Sequence, residues 1–424
     1  MHFNLFFIML FFSFFVNLNL KKTNYSTNKY EFSSDLKMKE LKIGMLGYSF
    51  MGRAHSNAYN QMPKFFYPPP AKPIKEIVCG RTKEKVESFA DQFGWNQIET
   101  DWKTMIKSGK IDIFDNSGPN NMHLEPNIQA AEEGIDIFCE KPLARNLEEA
   151  EKIAAAVRKS GVKAMCAFNY RRVPAVQLAK KLIDEGYIGK IYHWRAVYLQ
   201  DWITDPEFPL VWRLREDVAG SGPHGDLNAH IVDLSKYLLG DIAKVSGMEE
   251  TFIKERPLPS GEGVGLGDHT ADEKTKMGKV TVDDAVLFLA KFENGALGSF
   301  EATRFATGRR NFNSFEINGS KGSIVFNLER MNELQFYSSE DPNFAQGFRT
   351  INVTEGVHPY VEKWWPAGHI IGWEHTFTHE VYDFFDAIAN DKPIHPDFED
   401  ALQVQKVLEK VKDSCKSGQW ESVE

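Results

Sequence analysis

Short apolar runs alternate with amphipathic segments between residues 41 and 168, and this alternation predicts the first half of the fold. The apolar runs have the length of buried strands, and the segments between them repeat apolar residues with helical period. The predicted strands are 41–46, 74–79, 111–115, 135–139 and 162–168, and the predicted helices are 53–61, 82–93, 101–107, 122–133 and 146–160. Strands separated by helices predict an α/β fold with a parallel sheet and right-handed crossovers.

One stretch interrupts the first of these strand–helix–strand units. Residues 62–73 contain five prolines and two phenylalanines. Because proline removes a backbone donor and clashes with the preceding helical turn, we predict a surface loop here rather than a helix.

The pattern changes after residue 170, where strands with alternating polarity dominate. The predicted strands are 191–199, 285–292, 296–303, 312–318, 324–327 and 333–337, and the predicted helices are 174–185, 226–239, 375–390 and 398–416. Asn294-Gly295 and Asn318-Gly319 are hairpin turn signals between such strands. The second half is therefore predicted to be an α+β domain with a large open, mostly antiparallel sheet, and the two last helices are expected to pack back on the body.

Residues 1–37 do not share these patterns. Residues 5–16 form an apolar run, which is shorter than the roughly 20 residues that span a bilayer as a helix, so we expect no stable membrane insertion. The run suits a signal-peptide core, but no Lys or Arg precedes it and no small-residue cleavage site follows. Residues 21–37 have linker composition. The alternatives are an export or anchor sequence and a start codon assigned too far upstream, and we favour translation from Met38.

Composition and charge narrow the function classes. The length of 424 residues suits two domains or slightly more. Fifty Lys and Arg against 59 Asp and Glu give a net charge of −9, so we expect no nucleic-acid partner. The four cysteines have no C-x-x-C spacing, which is typical of thiols in a reducing compartment, and we expect a cytoplasmic protein. His375 and His379 are spaced as a metal pair but lack a third ligand, so no metal is expected.

A glycine-containing turn follows the first predicted strand. The pattern is Gly47-x-Ser49-x-x-Gly52, in which serine replaces the middle glycine of the dinucleotide fingerprint. A tight turn that opens a helix lets backbone amides approach a pyrophosphate. We therefore predict a dinucleotide-binding domain over residues 38–168; residues 169–424 form a second domain, to which the family resemblance described below assigns substrate binding and oligomerisation.

The end of the second strand bears on the choice between NAD and NADP. An acidic residue there accepts a hydrogen bond from the ribose 2′-OH of NAD, whereas arginine favours the 2′-phosphate of NADP. The sequence has Cys79-Gly80-Arg81 and no acid at this point. The expected cofactor is NAD or NADP, and Arg81 inclines the prediction towards NADP.

Three residues form a candidate catalytic set. Lys141 follows a parallel strand at its carboxyl end, where ligands of such sheets bind. Asp226 and His230 are four residues apart, so they share one face of the predicted helix. Together they supply a cation, an orienting carboxylate and an acid/base near neutral pH.

Several motifs, in their order and spacing, resemble the glucose–fructose oxidoreductase / inositol dehydrogenase / rhizopine catabolism (Gfo/Idh/MocA) family. They are Gly44-x-x-Gly47-x-Ser49-x-x-Gly52, Ser117-Gly118-Pro119-Asn120 with His123, Glu140-Lys141-Pro142, Asn169-Tyr170-Arg171 and Gly225-Asp226…His230. The resemblance runs from Lys39 to the C-terminus. It implies an N-terminal Rossmann domain, a C-terminal open-sheet domain, and hydride transfer between NAD(P) and a hydroxyl carbon of a sugar, anhydrosugar or cyclic polyol. Residues 198–202, 211–213 and 219–222 resemble the branch with levoglucosan-type sugar dehydrogenases.

The resemblance also implies roles for individual residues. His230 takes the proton of the substrate hydroxyl, Lys141 stabilises the developing alkoxide, and Asp226 orients the sugar or the imidazole. The implied cofactor contacts are Gly47, Ser49, Phe50, Met51, Gly52, Arg81, Ser117, Pro119, Asn120, His123, Glu140 and Lys141. The implied substrate contacts are Tyr170, Gln200, Trp202, Arg213 and Asn228.

Two other functions remain open for this fold. One is a glycosidase that retains NAD for transient oxidation, which an exported location would favour. The other is a non-catalytic sugar or nucleotide sensor, which would need no proton-transfer residues. The expected partner is a small carbohydrate or polyol, and the family implies a homo-oligomer, either a dimer or a tetramer.

Overall fold

The structure, a computed structural model, describes residues 38–259 and 276–423. The predictions for residues 1–37, a signal-like or anchor segment followed by a linker, lie outside the described residues. Among the described helices, none is both long enough and apolar enough to cross a membrane.

The first half contains a six-stranded parallel sheet; the alternation predicted five of its strands and missed the short strand Gln97–Glu99. Its elements are β1 Glu40–Leu46, α1 Phe50–Phe65, β2 Lys72–Cys79, α2 Lys83–Phe93, β3 Gln97–Glu99, α3 Trp102–Ile106, β4 Ile113–Asn116, α4 Leu124–Glu132, β5 Asp136–Glu140, α5 Leu147–Ser160 and β6 Ala164–Ala167. The strand order is β3-β2-β1-β4-β5-β6. This is the doubly wound order, in which ligands bind at the carboxyl ends of the strands beside β1 and β4.

The prediction of a loop over residues 62–73 is wrong at both of its ends. Helix α1 continues to Phe65 with Pro63 inside it, and β2 already begins at Lys72. Met62 and Phe66 are buried in the same apolar cluster as Phe377 of the C-terminal half. Burial of these side chains offsets the hydrogen bond that the proline removes near the end of the helix.

The second half contains a nine-stranded mixed sheet. Its elements are α6 Pro174–Asp184, β7 Ile191–Leu199, α7 Glu216–Ala219, α8 Ala229–Leu239, β8 Ile242–Glu250, β9 Glu255–Pro257, β10 Met277–Lys279, β11 Ala285–Phe292, β12 Leu297–Thr303, β13 Phe312–Gly319, β14 Gly322–Asn327, β15 Glu333–Ser338, β16 Arg349–Asn352, α9 Glu374–Ala389, α10 Phe398–Ser417 and β17 Glu421–Ser422. The order is β16-β15-β14-β13-β7-β12-β11-β8-β17. Strands β7 and β12 pair in parallel, and the neighbouring pairs are antiparallel.

Strands β9 and β10 pair with each other in a separate two-stranded sheet. The last two long helices return to the first half, as expected. Helix α9 packs along α1, and α10 packs against α5, α8 and β8. The two halves therefore share cores, and residues far apart in sequence meet at the strand ends of the first sheet.

Candidate active site

The turn between β1 and α1 is shaped by two glycines. Gly47 has a φ of +107°, and a Cβ on it would lie 2.6 Å from the carbonyl oxygen of Ser117. A Cβ on Gly52 would lie 2.5 Å from the carbonyl oxygen of Gly47. Any larger residue at either position would push these backbone segments apart, so the tight turn requires both glycines.

The N-terminus of α1 opens directly from this turn. Ser49 is the N-cap residue, and its hydroxyl makes no capping hydrogen bond. Ser49 and Phe50 are exposed, whereas Met51 packs against the core below. A helix start with amides that lack side-chain caps suits an anion, so the turn and α1 fit the pyrophosphate of a dinucleotide.

An aromatic pair connects this turn to the C-terminal half. The ring of Phe50 stacks on the ring of Trp373, with centroids 5.3 Å apart and planes 13° apart. Trp373 directly precedes α9. The stack places a residue of the C-terminal half beside the predicted cofactor turn.

Arg81 stands two residues beyond the end of β2 and is exposed. The intervening Gly80 packs against the ring of Tyr48, since a Cβ on Gly80 would lie 2.2 Å from its Cε1. The structure thus places Arg81 at the strand end where the ribose of a dinucleotide binds in this fold. Its effect on cofactor choice stays a prediction.

The loop after β4 closes the glycine turn from the other side. The hydroxyl of Ser117 donates to the carbonyl oxygen of Leu46 at 3.0 Å. The amide of Asn120 donates to the carbonyl oxygen of Ala219 at 2.8 Å, which ties this loop to the C-terminal half. Pro119 is exposed at the same edge. Contacts of these residues with a cofactor stay predictions.

His123 does not face a cofactor, and that prediction is corrected. Its side chain is fully buried, with Nδ1 2.9 Å from the carbonyl oxygen of Pro142 and Nε2 3.2 Å from that of Gly118. Burial lowers the pKa of His123. Because protein carbonyls occupy both nitrogens, His123 holds the loops after β4 and β5 together.

Glu140 is also turned into the protein, which corrects its prediction as a cofactor contact. Its Oε1 lies 3.1 Å from Nε2 of His55, and its Oε2 accepts the backbone N–H of Lys141 at 3.1 Å. Only 4% of Glu140 is exposed. The carboxylate therefore positions the backbone of Lys141.

His55, which the sequence analysis missed, lies between two buried carboxylates. Its Nδ1 is 3.0 Å from both oxygens of Asp115, and its Nε2 faces Glu140. Tyr59 donates to Asp115 at 2.8 Å. Burial disfavours a charged ring, but the two carboxylates outweigh it and raise the pKa of His55 to about 10. The imidazolium joins α1 to β4 and β5 beneath the site.

Replacing this imidazolium is expected to destabilise the protein in a pH-dependent way. His55→Gln should cost about 3 kcal/mol near pH 6, because Asp115 and Glu140 lose their shared cation. The pKa of His55 is higher in the folded protein than the value of about 6.5 in the unfolded chain. The protonated ring therefore stabilises the fold fully at pH values below about 6.5, and this stabilisation is lost as the pH rises through about 10. Denaturant unfolding near pH 6 and near pH 10 measures this loss. The exposed control His193→Gln should cost little at either pH, and an equal cost of His55→Gln at both would contradict a charged His55.

Lys141 meets Asp226 from the second half of the chain. Its Nζ donates to Oδ1 of Asp226 at 2.6 Å and to the backbone oxygen of Asp226 at 3.2 Å. Asp226 lies in a π-helical turn, His224–Asn228, and the regular helix α8 starts only at Ala229. The predicted helix over 226–239 is thus corrected at its start. Such π turns occur frequently at functional sites.

Arg304, also missed from the sequence, completes the cluster around Asp226. It follows β12, is 1% exposed, and its Nη2 donates to Oδ2 of Asp226 at 2.6 Å. Burial alone would raise the pKa of Asp226, but Lys141, Arg304 and Arg213 together hold it well below its usual value. An ionised carboxylate therefore bridges Lys141 and Arg304.

His230 lies on α8 next to this charged group. It is buried, and its Nδ1 has no hydrogen-bond partner among the described residues. Burial lowers the pKa of His230 well below 6.5, and the charge of Lys141 lowers it further, while Asp226 opposes them. The imidazole is therefore neutral at pH 7 and able to accept a proton.

Aromatic and amide side chains continue the site from His230. The ring of Tyr170 lies 4.5 Å from the imidazole, and its hydroxyl is 2.9 Å from that of Tyr198. Asn311, a third residue missed from the sequence, accepts from Tyr198 at 2.8 Å and from Gln200 at 3.0 Å. These predicted sugar contacts thus form one hydrogen-bonded group.

Trp202 and Arg213 lie near Arg304 and Asp226. The indole N–H of Trp202 donates to Gln200 at 2.8 Å, and the guanidinium of Arg304 lies 5.1 Å from the Trp202 ring. Arg213 stacks on Trp212 at 4.3 Å. Burial lowers the pKa of Arg213 to about 10 and Arg304 adds to this effect, although Asp226 opposes both. The structure therefore brings Arg213 close to the catalytic candidates.

Asn228 is the substrate contact that the structure contradicts. Its side chain is fully buried, and its Nδ2 lies 3.1 Å from Nδ1 of His224. The other nitrogen of His224 is 2.7 Å from the carbonyl oxygen of Leu408 on α10. Asn228 thus packs towards α10 and supports the turn that carries Asp226.

His375 and His379, where no metal was expected, make hydrogen bonds within the protein through both nitrogens of His379 and through Nδ1 of His375. Nε2 of His379 accepts the indole N–H of Trp364 at 2.7 Å, and Nδ1 lies 2.9 Å from the carbonyl oxygen of Arg172. Nδ1 of His375 accepts the backbone N–H of Gly372 at 3.0 Å. These residues secure the start of α9.

The first sheet is doubly wound and has an open glycine turn, and a lysine, a carboxylate and a neutral histidine meet at its strand ends. This combination defines a nicotinamide-dependent dehydrogenase acting on CH–OH groups. Two family models match the chain: "Oxidoreductase family, NAD-binding Rossmann fold" over residues 41–168 and "GFO/IDH/MocA C-terminal domain" over residues 176–325. The chain belongs to the Gfo/Idh/MocA family of NAD-binding oxidoreductases. The resemblance drawn from the motifs is confirmed.

Individual relatives match over nearly their whole length. Levoglucosan dehydrogenase of Pseudarthrobacter phenanthrenivorans is 44% identical over 387 residues, which cover 91% of this chain and 99% of that one. A structure of levoglucosan dehydrogenase in complex with NADH has a TM-score of 0.86 at 43% identity, covering 91% and 100%. The crystal structure of an oxidoreductase domain protein from Kribbella flavida has a TM-score of 0.85 at 50% identity, also covering 91% and 100%.

Proposed function

We propose that this enzyme oxidises a ring hydroxyl of a pyranose or anhydropyranose such as levoglucosan, with NAD as the hydride acceptor. The observation that carries the proposal is the 2.6 Å contact between Lys141 and Asp226 beside a neutral His230. This contact joins the strand end of the nucleotide-binding half to the helix start of the other half. The similarity to levoglucosan dehydrogenase over 99% of its length supports the substrate class.

The dinucleotide would be held by the turn Gly47–Gly52 and the first amides of α1, and its nicotinamide ring supplies the hydride acceptor when bound. The nitrogen of His230 that is not enclosed by protein, Nε2, accepts the proton of the sugar hydroxyl. Lys141 uses two of its three N–H donors on Asp226, so one remains for the same sugar oxygen. That donor stabilises the negative charge that develops on the oxygen.

Asp226 and its second cation keep this donor in place. Because Arg304 holds Oδ2 and Lys141 holds Oδ1, the carboxylate cannot turn away without leaving a buried charge unpaired. Tyr170, Gln200, Trp202 and Arg213 would contact the remaining sugar hydroxyls. They offer ring faces and hydrogen-bonding groups of the kind that sugars require.

The direct test is a screen of levoglucosan, glucose and myo-inositol with NAD and with NADP, following the absorbance of the reduced nicotinamide. We expect reduction with at least one anhydropyranose or pyranose. Cleavage of a glycosidic bond without net reduction would instead identify a glycosidase. Tight NADH binding without turnover of any sugar would favour a sensor.

Arg81→Asp is expected to shift the cofactor preference towards NAD. An acidic side chain at the end of β2 accepts from the ribose 2′-OH and repels a 2′-phosphate, so kcat/KM for NADP should fall by about tenfold or more relative to NAD. Lys83→Asp makes the same charge change two residues further on, and its effect on the ratio should be smaller. An unchanged ratio in Arg81→Asp would show that this side chain does not reach the ribose.

We also propose a homo-oligomer that uses the outer face of the second sheet. Met248, Leu287, Leu289 and Leu297 on β8, β11 and β12 are each at least 40% exposed on this face. Exposed apolar patches of this kind mark association surfaces. Sedimentation of Leu289→Lys beside the wild type tests this, and an unchanged wild-type mass in the variant would count against it.

A further inference from the structure

We infer that Arg256 is a positioning residue for the sugar site, acting through the loop of residues 200–214. This loop carries Gln200, Trp202 and Arg213, the predicted sugar contacts. The inference rests on the proposed function, and it assigns sugar specificity to a residue on the two-stranded sheet outside both large sheets.

Arg256 is fully buried, and its guanidinium donates hydrogen bonds to this loop. Its Nη1 donates to the carbonyl oxygens of Asp205 at 2.8 Å and of Phe208 at 3.2 Å, and its Nη2 donates to that of Ile203. All three acceptors are backbone atoms of the 200–214 loop. A charged donor that binds three backbone carbonyl oxygens of a loop holds the loop's backbone rather than one side chain.

The two-stranded sheet of β9 and β10 supports the same loop in two further ways. The backbone N–H of Leu210 donates to the carbonyl oxygen of Pro257 at 2.7 Å. Leu210 and Leu214 also pack with Val280 and Val282 in an apolar cluster apart from the two main cores. The small sheet and the residues that follow it therefore hold this loop in place along with Arg256.

Displacement of the loop would move the predicted sugar contacts that lie on it. Trp202 packs against the same small cluster, and its ring lies 5.1 Å from the guanidinium of Arg304, which holds Asp226. The glycine turn at Gly47 belongs to the first sheet and makes none of these contacts. Loss of Arg256 should thus weaken sugar binding and leave dinucleotide binding intact.

Arg256→Met, Arg256→Lys and the control Arg310→Met test this inference. In Arg256→Met we expect KM for levoglucosan to rise by about tenfold or more, with a smaller fall in kcat and an unchanged Kd for NADH. Arg256→Lys, which can still donate to these carbonyls, should recover part of the loss. Arg310 contacts the loop through Asp201 but is 83% exposed, so Arg310→Met should change KM by less than about twofold.

A second variant reaches the loop without removing a buried charge. Leu210 is buried against Val280 and Val282, so Leu210→Ala should loosen the contact between the loop and the small sheet while leaving Arg256 in place. It should raise the KM for levoglucosan in the same direction as Arg256→Met. This variant decides the question if Arg256→Met does not fold.

The outcomes separate this inference from the proposed function. If none of the tested sugars supported reduction of NAD by the wild-type enzyme, the proposed function itself would be overturned. An active wild type with unchanged KM in both Arg256→Met and Leu210→Ala would overturn only the role of Arg256. A parallel loss of NADH and sugar binding would also overturn it, because Arg256 would then support the fold as a whole.

Discussion

His230→Ala is expected to lower kcat for sugar oxidation by about 10²–10⁴-fold, the range that a positioned general base contributes. The imidazole is held neutral by burial and by Lys141, so the wild-type protein keeps a proton acceptor beside the substrate at pH 7. Alanine leaves only water for this task. Steady-state kinetics with saturating NAD, together with the Kd for NADH, measure the effect.

The matched control is His193→Ala, which removes an exposed histidine on β7. It should leave kcat and the affinity for NADH unchanged. His230→Ala should also retain NADH binding, because the imidazole is not part of the glycine turn. If His230→Ala turned over sugar at the wild-type rate, the assignment of His230 as the base would be wrong.

Lys141→Met is expected to lower kcat by about 10²–10³-fold and to change the pH profile as well. In the proposed mechanism the lysine donates to the sugar oxygen, and its charge lowers the pKa of His230. Without that charge the pKa of His230 rises towards 6.5. The acid limb of kcat/KM, along which His230 becomes protonated, should therefore move to higher pH.

Asp226→Asn provides the opposite shift. Asp226 raises the pKa of His230, so its neutral replacement should move the acid limb to lower pH. Profiles of the wild type and both variants between about pH 4 and pH 9 test the pair. Limbs that move in the same direction in the two variants, or stay in place, would contradict the electrostatic coupling among these residues.

Most of the fold could be predicted because strand and helix periods are local properties of the sequence. The central strands of the first sheet are largely buried, so each is a short apolar run between turn signals, whereas the three-residue edge strand β3 has no such run and was missed. Strand β8 was missed because Ile242–Glu250 is exposed along much of its length and ends in two glutamates. The error at residues 62–73 arose because the proline rule is local, whereas Met62 and Phe66 gain their stability from packing against distant residues.

The catalytic candidates could be located because their motifs lie at strand and helix ends. Lys141 and Asp226 do meet, although 85 residues separate them. Arg304 was missed because an arginine after a strand is usually solvated, and only the fold shows that it is buried against Asp226. The short run Ala302-Thr303-Arg304, a charge directly after an apolar strand, is the signal that was available.

The orientation of individual polar side chains could not be predicted from the sequence. Glu140, His123 and Asn228 occupy motif positions, yet each bonds to a protein group rather than facing the crevice. Neighbours from other elements decide these orientations. His55 supplies the partner of Glu140 from a helix that begins 90 residues earlier in the chain.

In the proposed reaction, this enzyme removes hydride from a carbon of the sugar ring and transfers it to nicotinamide. The most direct measurement is mass spectrometry of the NADH formed from NAD and levoglucosan deuterated on its ring carbons. We expect the NADH to gain one deuterium, and we expect only a trace of this product with His230→Ala and Lys141→Met. Consumption of the sugar with no deuterium in the nicotinamide would contradict it.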